Sequence, residues 1–480
     1  MAPDAKEFFD VGMAALARAD LPACKAAFQR CVQLAPHSAE AWCYLGIGLS
    51  FKEPGPAAAA LDRALALDPD HHGALYWRAE VYWIQGDASS AAKLLRHVNR
   101  LAPGAPQNLA RLGYAHLAAG EIEAARAALI DAVWAGDGPG SVTGRQVELR
   151  RAIYLDLLGR RNDAVRLVQE VNGAGLGEGY SRERYPRDLE EQRQALEKVV
   201  AGRDIVVLGS GPSLATLEPQ LASLGSEGCR NLCFFGFNNV PVAERMLIDT
   251  IGRGVDLACM TSVAVMELHA GWISEFLARK LTPSLFLTPA DALKPGRPTA
   301  EMIAAQPQKL FCFAASGDHP PVPEDPLHFP PVNTLMCVLP LAILGLPRRI
   351  MMFGCDGAAP SAIENGGDVY FRQGSAEFGD QQVANDQYAR WLARDTFFFN
   401  AMIPMVLYSL SVLHRTPLPP IYVCNPDSAY NSLSRIEASG LVSPPAITPG
   451  IPPNPGMTRT SRLAMQLGRL RRGLQRLRKH

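Results

Sequence analysis

The feature that most constrains the fold of this chain is a repeat of 33 to 34 residues in its first third. The triplets Leu34-Ala35-Pro36, Leu67-Asp68-Pro69 and Leu101-Ala102-Pro103 recur at this spacing, and each closes a block of two amphipathic helical patterns. Within each block a small residue precedes a bulky one by four positions: Cys24 and Phe28, Ala57 and Leu61, Ala91 and Leu95. Two later blocks keep the pattern without the Pro, around Leu112-Gly113-Tyr114 and Leu158-Gly159. The period predicts stacked helical hairpins.

A small residue at the point where two helices cross, repeated in phase five times, resembles the tetratricopeptide (TPR) repeat. The resemblance implies an α-solenoid over residues 1–175 with a groove that binds a peptide or a protein. Nothing in these repeats predicts chemistry.

The stretch Ile205 to Leu214, IVVLGSGPSL, opens a different kind of domain. Its apolar run predicts a buried parallel strand, followed by a tight turn and a helix that Ser213 caps. Gly209 and Gly211 let a ligand approach the backbone and leave N–H groups for an anion, as in nucleotide-phosphate sites. The spacing matches neither the dinucleotide fingerprint nor the P-loop. An ordinary strand-to-helix turn therefore remains the alternative.

Composition bounds the remaining possibilities. A chain of 480 residues with 48% hydrophobic content predicts two or three globular domains. Basic and acidic residues number 47 each, which gives no reason to expect a nucleic-acid partner. The ten cysteines form no C-x-x-C pair and the amino terminus carries no secretory pattern, so we expect a cytoplasmic protein. The uncharged stretch 396–413 is interrupted by Asn400 and Pro404 and predicts a buried helix rather than a membrane span.

Composition shifts also suggest the domain boundaries. Residues 176–200 predict a linker helix, and residues 201–440 predict an open, mostly parallel α/β domain of Rossmann-like kind. The Pro-rich residues 441–456 predict an extended linker. Residues 457–480 carry eight Arg or Lys and no acid, with leucines at helical spacing. Such a basic amphipathic tail contacts an anionic membrane surface or an acidic partner, folds back on the protein, or remains a solubilising tail.

Polar residues stand where several predicted strands end or a helix begins: Asn238-Asn239, Thr261-Ser262, Asn333-Thr334 and Asp356. An amide side chain offers both donors and acceptors, which suits a sugar hydroxyl or a pyrimidine edge. In open α/β sheets ligands bind beyond the carboxyl ends of the strands. We therefore expect Ser210, Asn238 and Asp356 to converge on one crevice.

This order of motifs resembles the bacterial sialyltransferases that use CMP-sialic acid and the related motility accessory factor proteins. The resemblance covers about residues 200–435 and is carried by Gly209-Ser210-Gly211-Pro212-Ser213-Leu214, by Asn238, by Asn333-Thr334 and by Gly354-Cys355-Asp356. It implies that the glycine turn and the amides, with Asn239, hold CMP and that Tyr370 contacts its phosphate. It also implies transfer of a nonulosonic sugar from a CMP donor to a protein acceptor, such as flagellin, or a glycan, with no further cofactor and no metal.

This sequence differs from that family in the residue that would act as general base. In that family a His beyond the G-x-D strand deprotonates the acceptor, and here no His stands between Asp356 and His414. The remaining candidates are Asp386, Asp380, Tyr388 and His414. If His414 is not the base, we expect it to be a surface residue. An Asp would need burial to raise its pKa from about 3.9 toward the working pH.

Two other functions fit the same pattern. The domain also resembles 6-hydroxymethylpterin pyrophosphokinase-like proteins, in which carboxylates bind Mg²⁺ and cations bind phosphates. Asp356, Asp368, Arg348 and Arg349 are the candidates for those roles here, but their spacing shows no obvious cluster. Alternatively, the α/β domain is a non-catalytic nucleotide-binding module beside a TPR scaffold.

Overall fold

The computed structural model describes residues 3–17, 21–50, 53–135, 142–176, 188–279, 284–293, 296–315, 319–330, 333–356, 396–425, 428 and 430. The chain divides into two compact units, Met1–Gly136 with Asn385–Asp395 and Asp137–Ala384 with Thr396–His480.

The first unit consists of consecutive helical hairpins. Its described helices are α1 Pro3–Ala17, α2 Leu21–Leu34, α3 Ala39–Leu49, α4 Pro54–Leu67, α5 His72–Gln85, α6 Ala88–Leu101, α7 Pro106–Ala119 and α8 Ile122–Trp134. Each helix packs on the next. Short turns join the hairpins, and Gly86 and Gly120 end α5 and α7 in the left-handed conformation that Gly adopts without a steric penalty.

Small residues set the close crossing of the two helices in each hairpin. A Cβ built on Gly46 of α3 would lie 2.5 Å from Cγ of Leu61 on α4, and one on Gly113 of α7 would lie 2.7 Å from Cγ of Leu129 on α8. Phe28, Leu61 and Leu129 are 2% exposed or less. Bulky residues of the second helix thus pack against glycines of the first helix, which is a physical reason for the repeat.

A fifth hairpin belongs to the second unit. Its helices are α9 Val142–Leu157 and α10 Arg161–Asn172, and α11 Leu189–Val200 follows. Both helices of the hairpin pack on α18, which we number for Thr396–His414. The buried Asn172 Nδ2 donates to Ser409 Oγ on α18 at 2.5 Å and to the carbonyl of Pro321 at 3.1 Å. This hairpin is therefore part of the core of the second unit.

The second unit is built on an eight-stranded sheet in which every strand pair is parallel. Its strands are β1 Asp204–Leu208, β2 Leu232–Phe237, β3 Leu257–Cys259, β4 Leu285–Pro289, β5 Leu310–Ala315, β6 His328–Phe329, β7 Arg349–Phe353 and β8 Ile421–Val423. The remaining described helices are α12 Glu218–Gly228, α13 Val240–Ile251, α14 Val263–Leu268, α15 Ala270–Ala278, α16 Pro298–Ala304 and α17 Leu335–Leu344. All residues of β1 and β7 are buried, as expected for a sheet covered on both faces.

The strand order reverses direction at one point of the sheet. The order is β6-β5-β4-β3-β2-β1-β7-β8, so the chain runs outward from β1 to β6 and then returns to place β7 on the other side of β1. Connections leave β1 and β7 in opposite directions, and such a switch point opens a crevice at the carboxyl ends of the two strands. The glycine turn after β1 and the Gly354-Cys355-Asp356 turn after β7 both lie there.

No helix within the described ranges combines the length and the apolar character that a bilayer span requires. The segment that raised this question is α18, which contains Pro404. Its residues from Ala401 to Leu407 are buried in the core, as the sequence predicted.

Candidate functional site

The turn after β1 differs from its predicted geometry. Residues Pro212–Thr216 form a short 3-10 helix whose N-cap is Gly211, so Ser213 lies inside the helix and the prediction that it caps an α-helix is wrong. The Ser213 hydroxyl instead donates to Asp356 and accepts the backbone N–H of Gly354 at 3.1 Å. Ser213 therefore joins the turn after β1 to the turn after β7.

The two glycines of this turn serve the same contact. The N–H of Gly209 donates to the carbonyl of Phe353 and the N–H of Gly211 to that of Gly354, both at 2.8 Å. A Cβ on Gly209 would lie 2.2 Å from the Gly354 oxygen, and one on Gly211 would lie 2.3 Å from Asp356 Oδ2. The prediction that these N–H groups are free for an anion is wrong, since both are used by β7 and its turn. The glycines allow two turns, rather than a turn and a ligand, to approach closely.

Asp356 is the residue on which these turns converge. Its carboxylate accepts from the backbone N–H of Ser213 at 2.9 Å, from the Ser213 hydroxyl, and from Asn425 Nδ2 at 2.6 Å. The residue is 4% exposed. Asn425 was not predicted from the sequence. It follows β8 as Asn238 follows β2, so its position after an apolar strand was the signal that could have identified it. A carboxylate with these three donors anchors the crevice.

Amides and hydroxyls form a second cluster beside this anchor. Asn238 has a φ of 54°, in the left-handed region that Asn tolerates better than most residues, and its Nδ2 donates to Thr334 Oγ1 at 2.9 Å. Thr334 Oγ1 also lies 3.1 Å from Thr261 Oγ1. Asn333 Nδ2 donates to the Tyr430 hydroxyl. The structure thus brings together the ends of β2 and β3 and the start of α17.

Two acceptors in this cluster are unsatisfied. Oδ1 of Asn238 and Oδ1 of Asn239 are buried and have no hydrogen-bond partner within the described part of the chain. Asn239 is 6% exposed and stands at the N-cap of α13 without a side-chain capping bond. A buried polar atom left unpaired costs about 1–3 kcal/mol. A ligand with hydrogen-bond donors would therefore satisfy these two oxygens.

The opposite ends of β1 and β7 carry an ion-pair network. Arg348 Nε and Nη2 donate to the two oxygens of Asp204 at 2.6 Å each, and Arg349 Nη2 donates to Asp204 Oδ2 at 2.6 Å. Burial raises the pKa of Asp204, but the bonds from Arg348 and then Arg349 outweigh it and hold that pKa below its usual value.

This network also bears on the pyrophosphokinase-like interpretation. The five residues of β7, about 16 Å at 3.3 Å per residue, separate Arg349 from the turn that holds Asp356. Arg348 and Arg349 therefore do not join Asp356 at one phosphate site, and their spacing in the sequence shows no obvious cluster either. Asp368, the fourth residue of that interpretation, lies outside the described residues.

His414 does not lie at the crevice. It ends α18, is 7% exposed, and donates from Nε2 to the carbonyl of Pro326 at 2.9 Å. Burial lowers the pKa of His414. It precedes the amino end of β8, whereas Asp356 and Asn425 follow the carboxyl ends of β7 and β8. The expectation of a surface histidine is wrong.

The other predicted catalytic residues, Asp380, Asp386 and Tyr388, lie outside the described residues, as does Tyr370. The basic tail at 457–480 also lies outside them. These assignments remain predictions from the sequence.

The first unit contains a groove of its own. Its volume is about 540 Å³, and it is lined by Leu16, Glu40, Cys43, Tyr44, Ile47, His71, Gly73 and Trp77. These residues come from α1, α3 and α5 and from the N-cap of α5, so the first helices of three successive hairpins form the wall. Aromatic and aliphatic side chains dominate it, with one carboxylate and one imidazole at hand. Such a surface suits an apolar peptide side chain flanked by polar groups.

Solved structures that resemble this chain match its amino-terminal, helical part. No family model and no curated protein matches the chain. Among solved structures, a MamA protein is 19% identical over 35% of this chain and 91% of its own, with a TM-score of 0.28. A MamA fragment from Desulfovibrio magneticus RS-1 is 19% identical over 35% of this chain and 94% of its own (TM-score 0.30). TTC0263, a TPR protein of Thermus thermophilus, is 19% identical over 35% and 89% (TM-score 0.29).

The amino-terminal helices are TPR repeats. Their period and their small-residue crossings carry this assignment. Arrays of this kind act as scaffolds for protein–protein contacts.

Proposed function

We propose that the second unit is a glycosyltransferase that takes a nonulosonic, sialic-acid-like sugar from a CMP donor. The cytidine would bind at the carboxyl ends of β1, β2 and β7, in the manner of a Rossmann-like nucleotide site. The observation that carries the proposal is the pair of buried, unsatisfied amide oxygens of Asn238 and Asn239. Cytosine presents an amino donor at the position where uracil presents a carbonyl acceptor. A cytidine nucleotide therefore satisfies an acceptor that a uridine nucleotide leaves unpaired.

The TPR unit would recruit the acceptor protein. The groove around Tyr44 and Trp77 offers aromatic anchors, which dominate the affinity of many protein interfaces. A protein acceptor explains why a helical array and a transferase-like unit share one chain. The base that deprotonates the acceptor hydroxyl would be Asp386, Asp380 or Tyr388, because His414 is buried against the carbonyl of Pro326, away from the crevice.

Nucleotide binding is tested by calorimetric titration of the full chain with CMP and with UMP. We expect CMP to bind more tightly, by about 5- to 150-fold if one buried acceptor gains its donor. The variant Asn238→Gly suits the positive φ at this position while removing the amide, so it should lower CMP affinity and reduce the discrimination against UMP.

The control for this variant is Arg415→Gly. Arg415 has a φ of 52° and is exposed, so the replacement repeats the same backbone change at an exposed position after α18. CMP affinity should be unchanged in it. Equal affinities for CMP and UMP in the natural protein, or an unchanged CMP affinity in Asn238→Gly, would remove the cytidine assignment.

Acceptor recruitment is tested separately with Trp77→Ala. This variant should keep CMP binding and lose transfer to a protein acceptor, measured by mass spectrometry of the acceptor after incubation with a CMP-sugar. Full transfer by Trp77→Ala would show that the groove does not recruit the acceptor.

A non-catalytic TPR scaffold is the second candidate function. The favouring observation is that Asp356, the one carboxylate described at the crevice, is engaged in bonds that stabilise the turns. A chain that binds CMP but never releases it from a CMP-sugar would fit this function.

A further inference from the structure

The repeat register shows what distinguishes the groove of the first unit from the next repeat. Eight residues after the Pro that closes the preceding block stand Tyr44, Trp77 and Arg111, and eleven residues after it stand Ile47 and Glu80. Arg111 and Glu80 form an ion pair between α7 and α5, with Nε of the first 2.6 Å from Oε1 of the second. Between α5 and α3 the equivalent residues are Trp77 and Ile47, and both line the groove. The groove therefore has apolar side chains at the place where the next repeat has an ion pair.

Glu40 gives this apolar groove a negative charge. Its side chain lines the groove, is exposed, and forms no ion pair with another residue that the structure describes. Burial and then the charge of Glu40 raise the pKa of the Cys43 thiol to about 12, and burial and then Glu40 also raise the pKa of Tyr44. The imidazole of His71 accepts the backbone N–H of Ala74 on Nδ1 at 3.2 Å, so that nitrogen carries no proton. The carboxylate thus acts on the groove without a cation beside it.

The helices around the groove carry more acid than base. The described α1, α3 and α5 contain two side-chain cations, Lys6 and Arg78, and five carboxylates, Asp4, Glu7, Asp10, Glu40 and Glu80. Arg78 is already paired with Asp62 of α4, Nε to Oδ1 at 2.7 Å. Because the whole chain has equal numbers of acidic and basic residues, this excess of acid is local. Charge complementarity therefore selects a basic partner.

We propose that the groove binds a segment of the acceptor protein in which an apolar residue stands beside an arginine. The apolar side chain packs between Ile47 and Trp77, and the guanidinium pairs with Glu40. Arginine fits better than lysine because its planar guanidinium also stacks on an aromatic ring, and Tyr44 lies one helical turn after Glu40 on the same side of α3. Recruitment of a protein by the TPR unit is the part of the proposed function on which this segment depends.

The experiment is a selection of random decapeptides displayed on phage against the immobilised full chain. The enriched peptides are then labelled, and their Kd for the full chain is measured by fluorescence anisotropy. We expect enrichment of an apolar residue next to an arginine. Glutamate in place of that arginine should raise the Kd about tenfold, and the arginine peptide itself should bind less tightly at high salt.

Two variants of the protein test the two parts of the groove. Glu40→Gln removes the charge at constant size and should raise the Kd of the arginine peptide about two- to fivefold. Gly73→Leu fills the groove: a Cβ on Gly73 would lie 3.4 Å from Cys43 Sγ, an ordinary contact, so α5 accommodates the new side chain. This variant should raise the Kd about tenfold or more. Circular dichroism checks that both variants keep their helices.

Glu123→Gln is the matched control for the charge. Glu123 is exposed on α8, lies outside the groove, and has no ion-pair partner among the described residues, so the Kd should be unchanged. A selection that enriches no peptide or peptides without a basic residue would overturn the proposal. Unchanged affinity in Glu40→Gln or in Gly73→Leu would overturn it as well. A chain that binds the arginine peptide but neither binds CMP nor transfers a sugar would support the peptide site and contradict the proposed glycosyltransferase.

Discussion

At the amino ends of β1 and β7, the buried carboxylate of Asp204 is paired with Arg348 and Arg349. At the carboxyl end of the sheet, Asp356 is also fully bonded, but the neighbouring amides of Asn238 and Asn239 keep buried oxygens without partners among the described residues. The two ends are connected by the same strands, yet the carboxylate at one end is paired with two guanidinium groups, whereas two amide oxygens at the other end lack donors. The difference teaches that ion pairing concentrates at one end of the sheet and unpaired acceptors at the other, although Arg349 Nε is also buried without a hydrogen-bond partner among the described residues. Five measurements can break or sharpen this difference.

The largest effect is expected from Asp204→Ala. The substitution leaves Arg349, which is 6% exposed, without the carboxylate that it pairs with. Breaking a buried pair in this way costs about 3–5 kcal/mol, measured by urea denaturation. The folded fraction should still bind CMP normally. Arg348→Ala should reduce stability less than Asp204→Ala, because the Arg348 side chain is 63% exposed and exposed pairs contribute about 0–1 kcal/mol.

The same pair predicts an acid dependence. Because the pKa of Asp204 is lower in the folded protein than in the unfolded chain, its contribution is complete above its ordinary pKa and disappears as the pH falls through the lower, folded value. The stability difference between the natural protein and Asp204→Ala should therefore shrink in acid. A difference that stays constant down to full protonation would contradict the ion-pair explanation.

The second effect concerns the contact between the two turns. Gly211→Ala should cost about 1–3 kcal/mol, since its Cβ would meet Asp356 Oδ2 at 2.3 Å and the Gly354 oxygen at 2.8 Å. CMP binding should weaken as well. Gly271→Ala is the control, because nothing lies within 4 Å of its added carbon. Equal unfolding midpoints for Gly211→Ala and the natural protein would mean that the turns can separate freely.

The third effect is smaller and lies inside the amide cluster. Thr334→Val keeps the shape of the side chain but removes the acceptor for Asn238 Nδ2, so we expect a loss of about 1 kcal/mol in stability and weaker CMP binding. Thr334→Ser should restore both quantities. If Thr334→Val changes stability alone, the cluster supports the fold without contacting a ligand.

The smallest expected effect is a change in how steeply the free energy of unfolding depends on pH. Burial lowers the pKa of His414 in the folded protein, so the protein loses stability as the pH falls below about 6.5, the value in the unfolded chain. His414→Gln should make the dependence of unfolding free energy on pH shallower between neutral and mildly acid conditions. Its CMP binding should be normal. A loss of transfer activity with normal stability would instead return His414 to the role of general base.

The sequence was a good guide wherever the determining contacts are local. The TPR period predicted the hairpins because both partners of a helix-crossing contact, such as Gly46 and Leu61, lie close together in the sequence. Apolar runs predicted β1, β2 and β7. It failed for Ser213, whose partner Asp356 lies 143 positions further along the chain. Cap preference is a local tendency, and a buried carboxylate outweighed it here.

The role of the glycines was misassigned for the same reason. A glycine pair after a strand shows that something comes close, but only the packing of β7 beside β1 shows that the neighbour is another turn. Asn425 was missed because β8 is only three residues long. The unpaired oxygens of Asn238 and Asn239 could not be predicted at all, since hydrogen bonding of a side chain depends on every residue around it.

The fifth hairpin has a consequence for how such chains change over evolutionary time. Because Asn172 bonds to Ser409 and to Pro321, α10 is a structural component of the sheet-bearing unit although its sequence belongs to the repeat series. A substitution in α10 must therefore preserve the fit to α18, a constraint that these bonds do not place on the hairpins before α9.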